Sequence, residues 1–427
     1  MRITHQYRLR PTIDQIAHME SWLNLLRRQY NYRLHERFDG YDSYRCDIDS
    51  CPLTCSIAGL KDKPNYYSQA NDLPKSKQLF PEYKDIHSQV LQDCVKRVEK
   101  TFDRWLKGDS NGKRSGKPRF KGVGRYHSFT YPTVKQDSIN GNKINFHKIG
   151  WVKLILHRPI PDGFKIKTAT ITKHCDGWYI NLSLEDTAVP SPKIDILPTD
   201  TNTIGIDVGL KEFLVTSTGV AVPIPQHYRK AEAKLKRASR KLSRKQKGSN
   251  RRKKAVARVA LQHKKVADKR KDFHYKTASW LLAQGQVVAV EDLNVKGMAK
   301  SRSAKSVNDA GWASFLSILS VKAESAGQLV IAVDPYNTTQ NCSVCGVKVP
   351  KTLADRVHDC GHCGLRLDRD HNAAINIKKL AVGHSVTAHR GKGQKTPNEV
   401  RSPALQKRIS NQCGEYVTKL VRDRMDR

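Results

Sequence analysis

Apolar residues in the first hundred positions follow two periods, one typical of a strand and one typical of helices. Residues 4–9 alternate apolar and polar side chains, which predicts a short β-strand. Apolar residues then recur at spacings of three and four over residues 16–34 and again over residues 86–105, which predicts two amphipathic helices. Such stripes most simply pack into a core, so we expect a helical domain over residues 11–110.

Strand-like alternation returns further along the chain. Residues 151–156 and 165–172 alternate as strands, and Asp176-Gly177 predicts a tight hairpin turn into a strand over residues 178–184. Together with the N-terminal strand, these segments predict a small β-barrel that the helical domain interrupts.

A polar, proline-bearing linker over residues 190–198 predicts a domain boundary, with a second domain beginning near Thr201. In that domain, residues 229–271 hold 20 Lys or Arg and two acids, with sparse apolar positions. We expect a pair of basic helices, an insert over residues 226–280, that lies against a polyanion. A merely solvated surface is the weaker explanation, because so many like charges repel one another. Residues 381–427 are polar, basic and weakly periodic, which favours a flexible tail.

Net charge narrows the class of partner. The 77 Lys and Arg residues outnumber the 40 Asp and Glu residues, for a formal net charge of +37 and a pI near 9.9. Nucleic acid is the commonest partner that neutralises such an excess. A basic ribosomal or chromatin-like protein would share this charge, so charge alone does not separate an enzyme from a scaffold. The hydrophobic content of 38% excludes an intrinsically disordered chain.

The apolar runs and the cysteines indicate in which cellular compartment the protein is expected. No stretch approaches the roughly 20 apolar residues that span a bilayer, and the first residues have no apolar signal core. We therefore expect a cytoplasmic protein associated with the nucleoid. In a reducing compartment the ten cysteines are expected to be free thiols or metal ligands.

A basic, glycine-rich segment over residues 113–125 contains one phenylalanine and is suited to contact phosphates and to stack on a base. A solvated linker is the alternative. The candidate nucleic-acid contacts here and in the basic helices are Lys117, Arg119, Phe120, Lys121, Arg251, Arg252, Lys253, Lys254, Arg270 and Lys271.

Two Cys-x2-Cys pairs, with 14 residues between them, predict one structural zinc site. Gly346 and Gly364 follow the pairs and allow tight turns in which backbone amides reach the sulfurs. His358 and His362 are alternative ligands nearby, although four thiolates already complete a tetrahedron. The predicted ligands are Cys342, Cys345, Cys360 and Cys363.

Three further cysteines, Cys46, Cys51 and Cys55, have a C-x4-C-x3-C spacing. This spacing fits no ordinary tetrahedral zinc loop and lacks an obvious fourth ligand. We assign no function to them.

Three acidic residues are candidates for one site, and two of them stand in apolar strand-like runs where ionisation would be costly. Asp207 lies within an apolar strand-like run, Glu291 ends another, and Asp370 opens a predicted helix. A buried carboxylate needs a cation or another partner. Converging from two strands and a helix start, the three would hold two Mg²⁺ ions, one activating water and one stabilising the leaving oxygen of a phosphodiester. The Gly-x-Asp-x-Gly strand alone also occurs in sugar kinases and related ATPases, whereas the order Asp, Glu, Asp with the zinc loop is more specific.

These motifs resemble the transposon-encoded TnpB family, which is related to the type V CRISPR effectors. The resemblance extends to about Leu380. The matching segments in the N-terminal half are Tyr7-Arg8-Leu9 before Pro11, and Gly116-Lys117-Pro118-Arg119-Phe120-Lys121-Gly122. Those in the C-terminal half are Gly205-Ile206-Asp207-Val208-Gly209, Arg270-Lys271-Asp272-Phe273-His274, Val290-Glu291-Asp292-Leu293, Thr339-Gln340-Asn341-Cys342-Ser343-Val344-Cys345-Gly346 and Asp368-Arg369-Asp370-His371-Asn372-Ala373-Ala374.

The resemblance implies an α+β multidomain protein with an RNase H-like (RuvC) α/β core. In the family the last catalytic acid lies two positions before the Asn of the Asp-x-Asn-Ala-Ala motif, which is Asp370 here, with Asp368 as the alternative. The implied division is a wedge-like β-barrel over 1–10 and 111–195, a helical recognition domain over 11–110, the nuclease core over 200–334 and 367–380, and a zinc-binding target-loading insert over 335–366.

The implied activity is RNA-guided cleavage. Such a protein binds a guide RNA from the transposon end, opens duplex DNA beside a short adjacent motif and cuts both strands with Mg²⁺. Two alternatives stay open: a guided DNA-binding regulator that does not cut, and a transposase, since RNase H-like triads also transfer strands. All three matching acids are present in this chain, which favours the nuclease.

Overall fold

The described residues of this computed structural model, 2–43, 64–188, 196–352 and 354–388, fall into two units that divide between residues 191 and 192. The boundary lies within the predicted linker. Cys46, Cys51, Cys55 and residues 389–427 of the predicted tail lie outside the described residues.

The first unit is built on a seven-stranded sheet in which the N-terminal strand lies centrally. Its order is β2-β6-β7-β1-β5-β4-β3, and β1 pairs antiparallel with both β5 and β7. The predicted hairpin at Asp176-Gly177 is confirmed, because β6 and β7 pair antiparallel around it. The strands are β1 (Arg2–Arg10), β2 (Ser128–Tyr131), β3 (Ile139–Asn140), β4 (Lys143–Phe146), β5 (Gly150–Ile155), β6 (Lys165–His174) and β7 (Gly177–Glu185).

This sheet is curled. Tyr131 of β2 stacks on Phe146 of β4 with ring centroids 5.6 Å apart, and its hydroxyl donates to the His147 carbonyl oxygen at 3.0 Å. One edge of the sheet therefore reaches round toward the other. Among the described residues β2 and β3 stay at opposite ends of the strand order, so the predicted barrel is a curled sheet rather than one closed by backbone pairing.

The helices of the first unit share one core with the sheet. The two predicted amphipathic helices are confirmed by α1 and α4, whose apolar stripes are buried. Trp22 of α1, which is fully buried, contacts Phe129 of β2 with ring centroids 5.5 Å apart. The helices are α1 (Ile13–Ser43), α2 (Tyr66–Asn71), α3 (Leu73–Leu79) and α4 (Ser88–Leu106).

The second unit is built on a mixed five-stranded sheet, whose strand order is β10-β9-β8-β11-β12. The strands β8, β11 and β12 are parallel, while β9 and β10 continue from β8 as an antiparallel meander. Its strands are β8 (Thr203–Asp207), β9 (Glu212–Thr216), β10 (Ala221–Pro223), β11 (Val287–Glu291) and β12 (Leu329–Val333). Its helices are α5 (His227–Ser243), α6 (Asn250–Leu282), α7 (Val295–Met298), α8 (Ala304–Ala310), α9 (Trp312–Ser325) and α10 (Arg369–Ala388).

Helices cover both faces of this sheet. Side chains of α6 and α9 pack with Ile204, Ile206 and Val288 on one face. On the other face, Ile377 and Ala381 of α10 pack with Ala289 and Val333. Every residue of β8 and β11 is consequently buried.

Two predicted features gain definite bounds. The predicted pair of basic helices is confirmed by α5 and α6, which pack against each other within residues 227–282, and the end of α6 lies in the core. The C-terminal helix runs eight residues past the predicted limit of 380, so residues 381–388 of the predicted flexible tail are helical, and the fully buried Ala381 continues the core-facing side. No described helix is both long and apolar enough to cross a membrane.

Candidate active site and four-cysteine cluster

Two of the predicted acids end neighbouring parallel strands. Asp207 is the last residue of β8 and Glu291 the last residue of β11, and parallel strands end at the same edge of a sheet. Both side chains are buried, with 8% and 9% of their surface exposed. The fold therefore brings the two carboxylates to one edge and withdraws them from water.

Asp370 reaches the same edge from the helix that covers it. It lies in the first turn of α10 and is 9% exposed. Helix α10 crosses β8 so closely at Gly205 that a Cβ built there would lie 2.2 Å from the Ala374 carbonyl oxygen. The absence of a side chain at Gly205 thus sets how near Asp370 stands to Asp207.

Asp207 is the acid whose pKa responds to the other two. Burial, with the charges of Glu291 and Asp370, raises the pKa of Asp207 to about 8, and Arg369 opposes this shift. The Arg369 guanidinium lies 2.9 Å from an Asp370 carboxylate oxygen. Burial also raises the pKa of Glu291, while a hydrogen bond from Thr338 at 2.5 Å lowers it.

Asp368, the alternative third acid, has a different role. It is exposed, and its carboxylate accepts hydrogen bonds from the backbone N–H groups of Asp370 at 2.9 Å and His371 at 3.3 Å. Asp368 therefore caps the first turn of α10. Of the two acids, Asp370 is therefore the one that is buried and whose charge acts more strongly on Asp207.

The four predicted cysteines form a metal-sized cluster beside the sheet. Among the described residues, their Sγ atoms are the one group of three or more possible metal ligands that all lie within 4.8 Å of one another, and the three acids do not form a group this tight. The Sγ atoms of Cys342 and Cys363 are 3.5 Å apart, and those of Cys345 and Cys360 are 3.6 Å apart. A tetrahedron of Zn–S bonds of about 2.3 Å has S–S edges of roughly 3.8 Å, so the cluster fits a zinc ion.

Both cysteine pairs sit in the predicted tight turns. Gly346 and Gly364 have φ of 74° and 71°, which glycine adopts without strain, and each donates its N–H back to the first cysteine of its pair. Although burial opposes it, hydrogen bonds from backbone N–H groups lower the pKa of Cys342 to about 6. The pKa of Cys360 is lowered in the same way, whereas at Cys345 and Cys363 the neighbouring sulfurs outweigh the backbone hydrogen bonds and raise the pKa. Cys342 and Cys360, the first cysteine of each pair, therefore favour thiolate.

The two histidines near the cysteines do not join this group. His358 lies on β13 (Val357–Asp359), which pairs with β14 (Arg366–Asp368). It is fully buried, and its Nδ1 contacts the Lys351 ammonium. His362 is exposed. Four sulfurs complete the set, as the spacing indicates.

Relatives match most of the chain. One, "Putative RNA-guided DNA endonuclease" from Streptomyces pristinaespiralis, is 29% identical over 392 residues, which cover 90% of each protein. Another, "Putative RNA-guided DNA endonuclease InsQ" from Escherichia coli K12, is 30% identical over 323 residues, 71% of this chain and 77% of that protein. This chain belongs to the TnpB (OrfB_IS605) family.

Family models and a solved structure agree with this placement. The OrfB_IS605 model, described as "Probable transposase", matches residues 187–302, and the Cas12f1-like TNB domain model matches residues 312–377. A helix-turn-helix domain model matches residues 1–46, of which residues 2–43 form a strand and one long helix here. The cryo-EM structure of a Cas12f1-sgRNA-target DNA complex aligns with a TM-score of 0.51 at 16% identity, covering 86% of this chain and 82% of that one. The TnpB-family chain thus shares the Cas12f1 fold.

The basic segment of this TnpB-family chain is fixed to α1. The Asn31 side chain accepts from the Lys121 backbone N–H at 2.7 Å and donates to the Lys121 carbonyl oxygen at 3.0 Å. Lys117 and Arg119 are exposed, and 55% of the Phe120 surface is open to solvent. The segment is therefore anchored to α1 at Lys121, and it leaves charge and part of the Phe120 ring, which also packs against Phe38, exposed to solvent.

Two of the ten candidate nucleic-acid contacts have side chains that make hydrogen bonds or an ion pair within the fold. Arg252 donates to the carbonyl oxygens of Leu242, in the last turn of α5, and Lys245, just beyond it. Arg270 lies 3.7 Å from the buried carboxylate of Asp309. The exposed residues among the others in this region are Arg251, Lys253, Lys254 and Lys271.

Sequence reasoning missed three polar residues around the acids. Thr338, Asn372 and Asn376 are not charged and were not singled out, yet Thr338 hydrogen-bonds Glu291 and both asparagines bond the loop that carries Thr338. One signal was present: Asn372 is the asparagine of the Asp-x-Asn-Ala-Ala motif. Its position in a fully buried site is visible only in the fold.

Proposed function

We propose that this chain is an RNA-guided DNA endonuclease of a transposable element, which cuts double-stranded DNA beside a short adjacent motif. The relatives whose names carry that activity support its general class. The observation that carries the proposal is the burial of three acids at one sheet edge, where the pKa of Asp207 rises to about 8. A site of this kind gains most from a divalent cation, which would favour the charged carboxylates.

The architecture around the acids supports a RuvC-like core. A mixed sheet with helices on both faces brings Asp207 and Glu291 to the carboxyl ends of adjacent parallel strands, where α/β folds place their sites. We assign the nuclease core to residues 200–334 and 367–380 and the target-loading insert to residues 335–366. In the first unit we assign the curled sheet to the wedge-like domain and α1 to α4 to recognition.

The donor set suits Mg²⁺. Asp207, Glu291 and Asp370 supply only carboxylate oxygens, the ligand type that Mg²⁺ prefers. Two bound Mg²⁺ ions would supply an activated water and charge stabilisation for the leaving oxygen. The chain's own part is to hold the three carboxylates at one edge, to exclude bulk water and to release the proton from Asp207. Arg369, paired with Asp370, offsets part of the negative charge.

The other partners follow from the remaining surfaces. We propose that Cys342, Cys345, Cys360 and Cys363 hold one structural Zn²⁺, since their sulfur separations suit a tetrahedron. We assign the guide RNA, derived from the transposon end, and the target DNA to the basic segment around Phe120 and to the exposed lysines and arginines of α6. A net charge of +37 supports a polyanionic partner.

The test is guided cleavage. The protein is purified from cells that carry its native locus, its bound RNA is sequenced, and the complex is challenged with matching and mismatched DNA in Mg²⁺. We expect cleavage of matched DNA only, abolished by Asp207→Ala with RNA binding intact. Asp200→Ala, which removes an acid 78% exposed in the same unit, is the matched control and should cut normally. Bound RNA without cleavage would indicate a guided regulator, and joined transposon ends without RNA would indicate a transposase.

A further inference from the structure

A buried hydroxyl contacts one of the three acids. The Thr338 hydroxyl lies 2.5 Å from a Glu291 carboxylate oxygen and 3.1 Å from the Pro335 carbonyl oxygen. A hydroxyl has one proton, and the shorter contact to a carboxylate is the stronger hydrogen bond. Thr338 is 3% exposed, so water does not compete for this bond. Glu291 is thereby held in one orientation at the end of β11.

The loop that carries Thr338 is itself fixed by α10. The Asn376 side chain donates to the carbonyl oxygens of Thr338 at 2.9 Å and Asn341 at 2.7 Å. The Asn372 side chain donates to the Asn341 oxygen at 2.8 Å and accepts from the Ser343 N–H at 2.9 Å. Asn372 and Asn376 lie one helical turn apart, so they bind successive parts of the loop from one side of the helix.

This loop joins the acids to the cysteine cluster. Ser343 follows Cys342 directly, and Asn372 lies two residues after Asp370 on the same helix. Asn337, which has φ of 57°, begins a turn in which its carbonyl oxygen accepts hydrogen bonds from the backbone N–H groups of Gln340 and Asn341. Asparagine tolerates this left-handed conformation better than most residues. One helix thus places Asp370 and the loop that orients Glu291.

We propose that Thr338 is a positioning residue for Glu291, and that Asn372 and Asn376 hold it in place through the loop that leads into Cys342. This inference rests on the proposed function, because it assigns Glu291 to a divalent-cation site. Thr338 touches neither cation nor substrate in this role. It fixes the carboxylate that does, and such supporting groups typically change metal affinity or activity by roughly 10- to 100-fold when they are lost.

The experiment replaces Thr338 by Val, which keeps the shape and removes the hydroxyl, and by Ser, which keeps the hydroxyl. Two readouts are taken on the guide RNA complex: the rate of matched-DNA cleavage, and Mn²⁺ binding by electron paramagnetic resonance. The Asp207→Asn complex gives the Mn²⁺ that the RNA retains by itself. We expect Thr338→Val to weaken the protein-bound Mn²⁺ and to slow cleavage by about 10- to 100-fold, and Thr338→Ser to restore both.

The matched control is Thr352→Val. Thr352 also donates its hydroxyl to a carboxylate in the same cysteine-bearing segment, that of Asp355 at 2.9 Å, but it is exposed and has no contact with Glu291. It should bind Mn²⁺ and cut as the wild type does. On a Glu291→Gln background, Thr338→Val should cause no further loss of Mn²⁺ binding, because the two residues act as one unit.

The outcomes separate this inference from the proposed function. A wild-type complex that neither cuts nor holds more Mn²⁺ than Asp207→Asn would overturn the proposed function. A wild-type complex that cuts, with Thr338→Val equal to it, would overturn the positioning role alone. Loss of zinc or of target-DNA binding in Thr338→Val would also overturn it, since Thr338 would then be holding the fold rather than one carboxylate.

Discussion

Replacing Gly205 by alanine should damage the site without touching any acid. Gly205 lies in the middle of β8 with a strand backbone that any residue adopts, so the cost arises from space alone. The added Cβ would lie 2.2 Å from the Ala374 carbonyl oxygen, 2.7 Å from the Lys378 backbone nitrogen and 2.9 Å from the Lys378 Cβ. Two of these three atoms are backbone, so no flexible side chain can turn away.

The magnitude follows from these distances. Ordinary contact begins near 3.4 Å, so α10 would have to move away from β8 by about 1 Å. Overpacking of this kind costs about 1–3 kcal/mol of stability. The larger effect falls on activity, because Asp370 moves with the helix, and a misplacement of about 1 Å can cost roughly 100-fold in rate.

The assay compares cleavage rate and urea unfolding of Gly205→Ala with those of the wild type. Gly383→Ala is the matched control, since it adds the same methyl group to α10 at a position where a Cβ meets nothing within 4 Å. It should cut normally. If Gly205→Ala cut matched DNA at the wild-type rate with unchanged stability, the close crossing of α10 over β8 would not be what positions Asp370.

Three further predictions concern charge, zinc and RNA. In the unfolded chain Asp207 loses its proton as pH rises past its ordinary pKa of 3.8, whereas in the folded chain it keeps the proton to about pH 8. The folded state therefore loses stability as pH rises from about 4 to about 8. Asp207→Asn should therefore stabilise the metal-free protein against urea at pH 8 and change little below pH 4, and equal stability at pH 8 would contradict this. Cys345→Ser should abolish the zinc that mass spectrometry detects in the wild type. Cys175→Ser, which changes an exposed cysteine of the first unit, should retain the zinc. Zinc retained in both variants would mean that the metal binds elsewhere. Phe120→Ala should weaken guide RNA binding by about 1–3 kcal/mol through lost stacking, measured by filter binding, while Val123→Ala, 84% exposed in the same segment, should not. Equal affinities for both variants would mean that no base stacks on Phe120.

The amino-acid sequence by itself determined the elements that have a strong local signature. The spacing of apolar residues predicts α1 and α4, because a helix repeats every 3.6 residues wherever it lies. The run of basic residues likewise marks α5 and α6. The glycines after each cysteine pair are equally local, since a left-handed turn needs them where it occurs. The acids Asp207 and Glu291 also stood out, because a carboxylate in an apolar run is an exception in any fold, and Asp370 stood out through the Asp-x-Asn-Ala-Ala motif.

Only the tertiary structure decided how these pieces meet. Glu291 and Asp370, far from Asp207 in sequence, act on its carboxyl group because β8 and β11 are parallel neighbours and α10 crosses β8 at Gly205. The same structure leaves Arg252 and Arg270 half-buried and pairs each of them with a partner within the fold. It also revealed Thr338, an uncharged residue whose only distinction is the group it touches. Spacing along a chain predicts periodic structure, whereas a hydrogen bond across 47 residues depends on where the fold brings two side chains, and local sequence carries no signal of that.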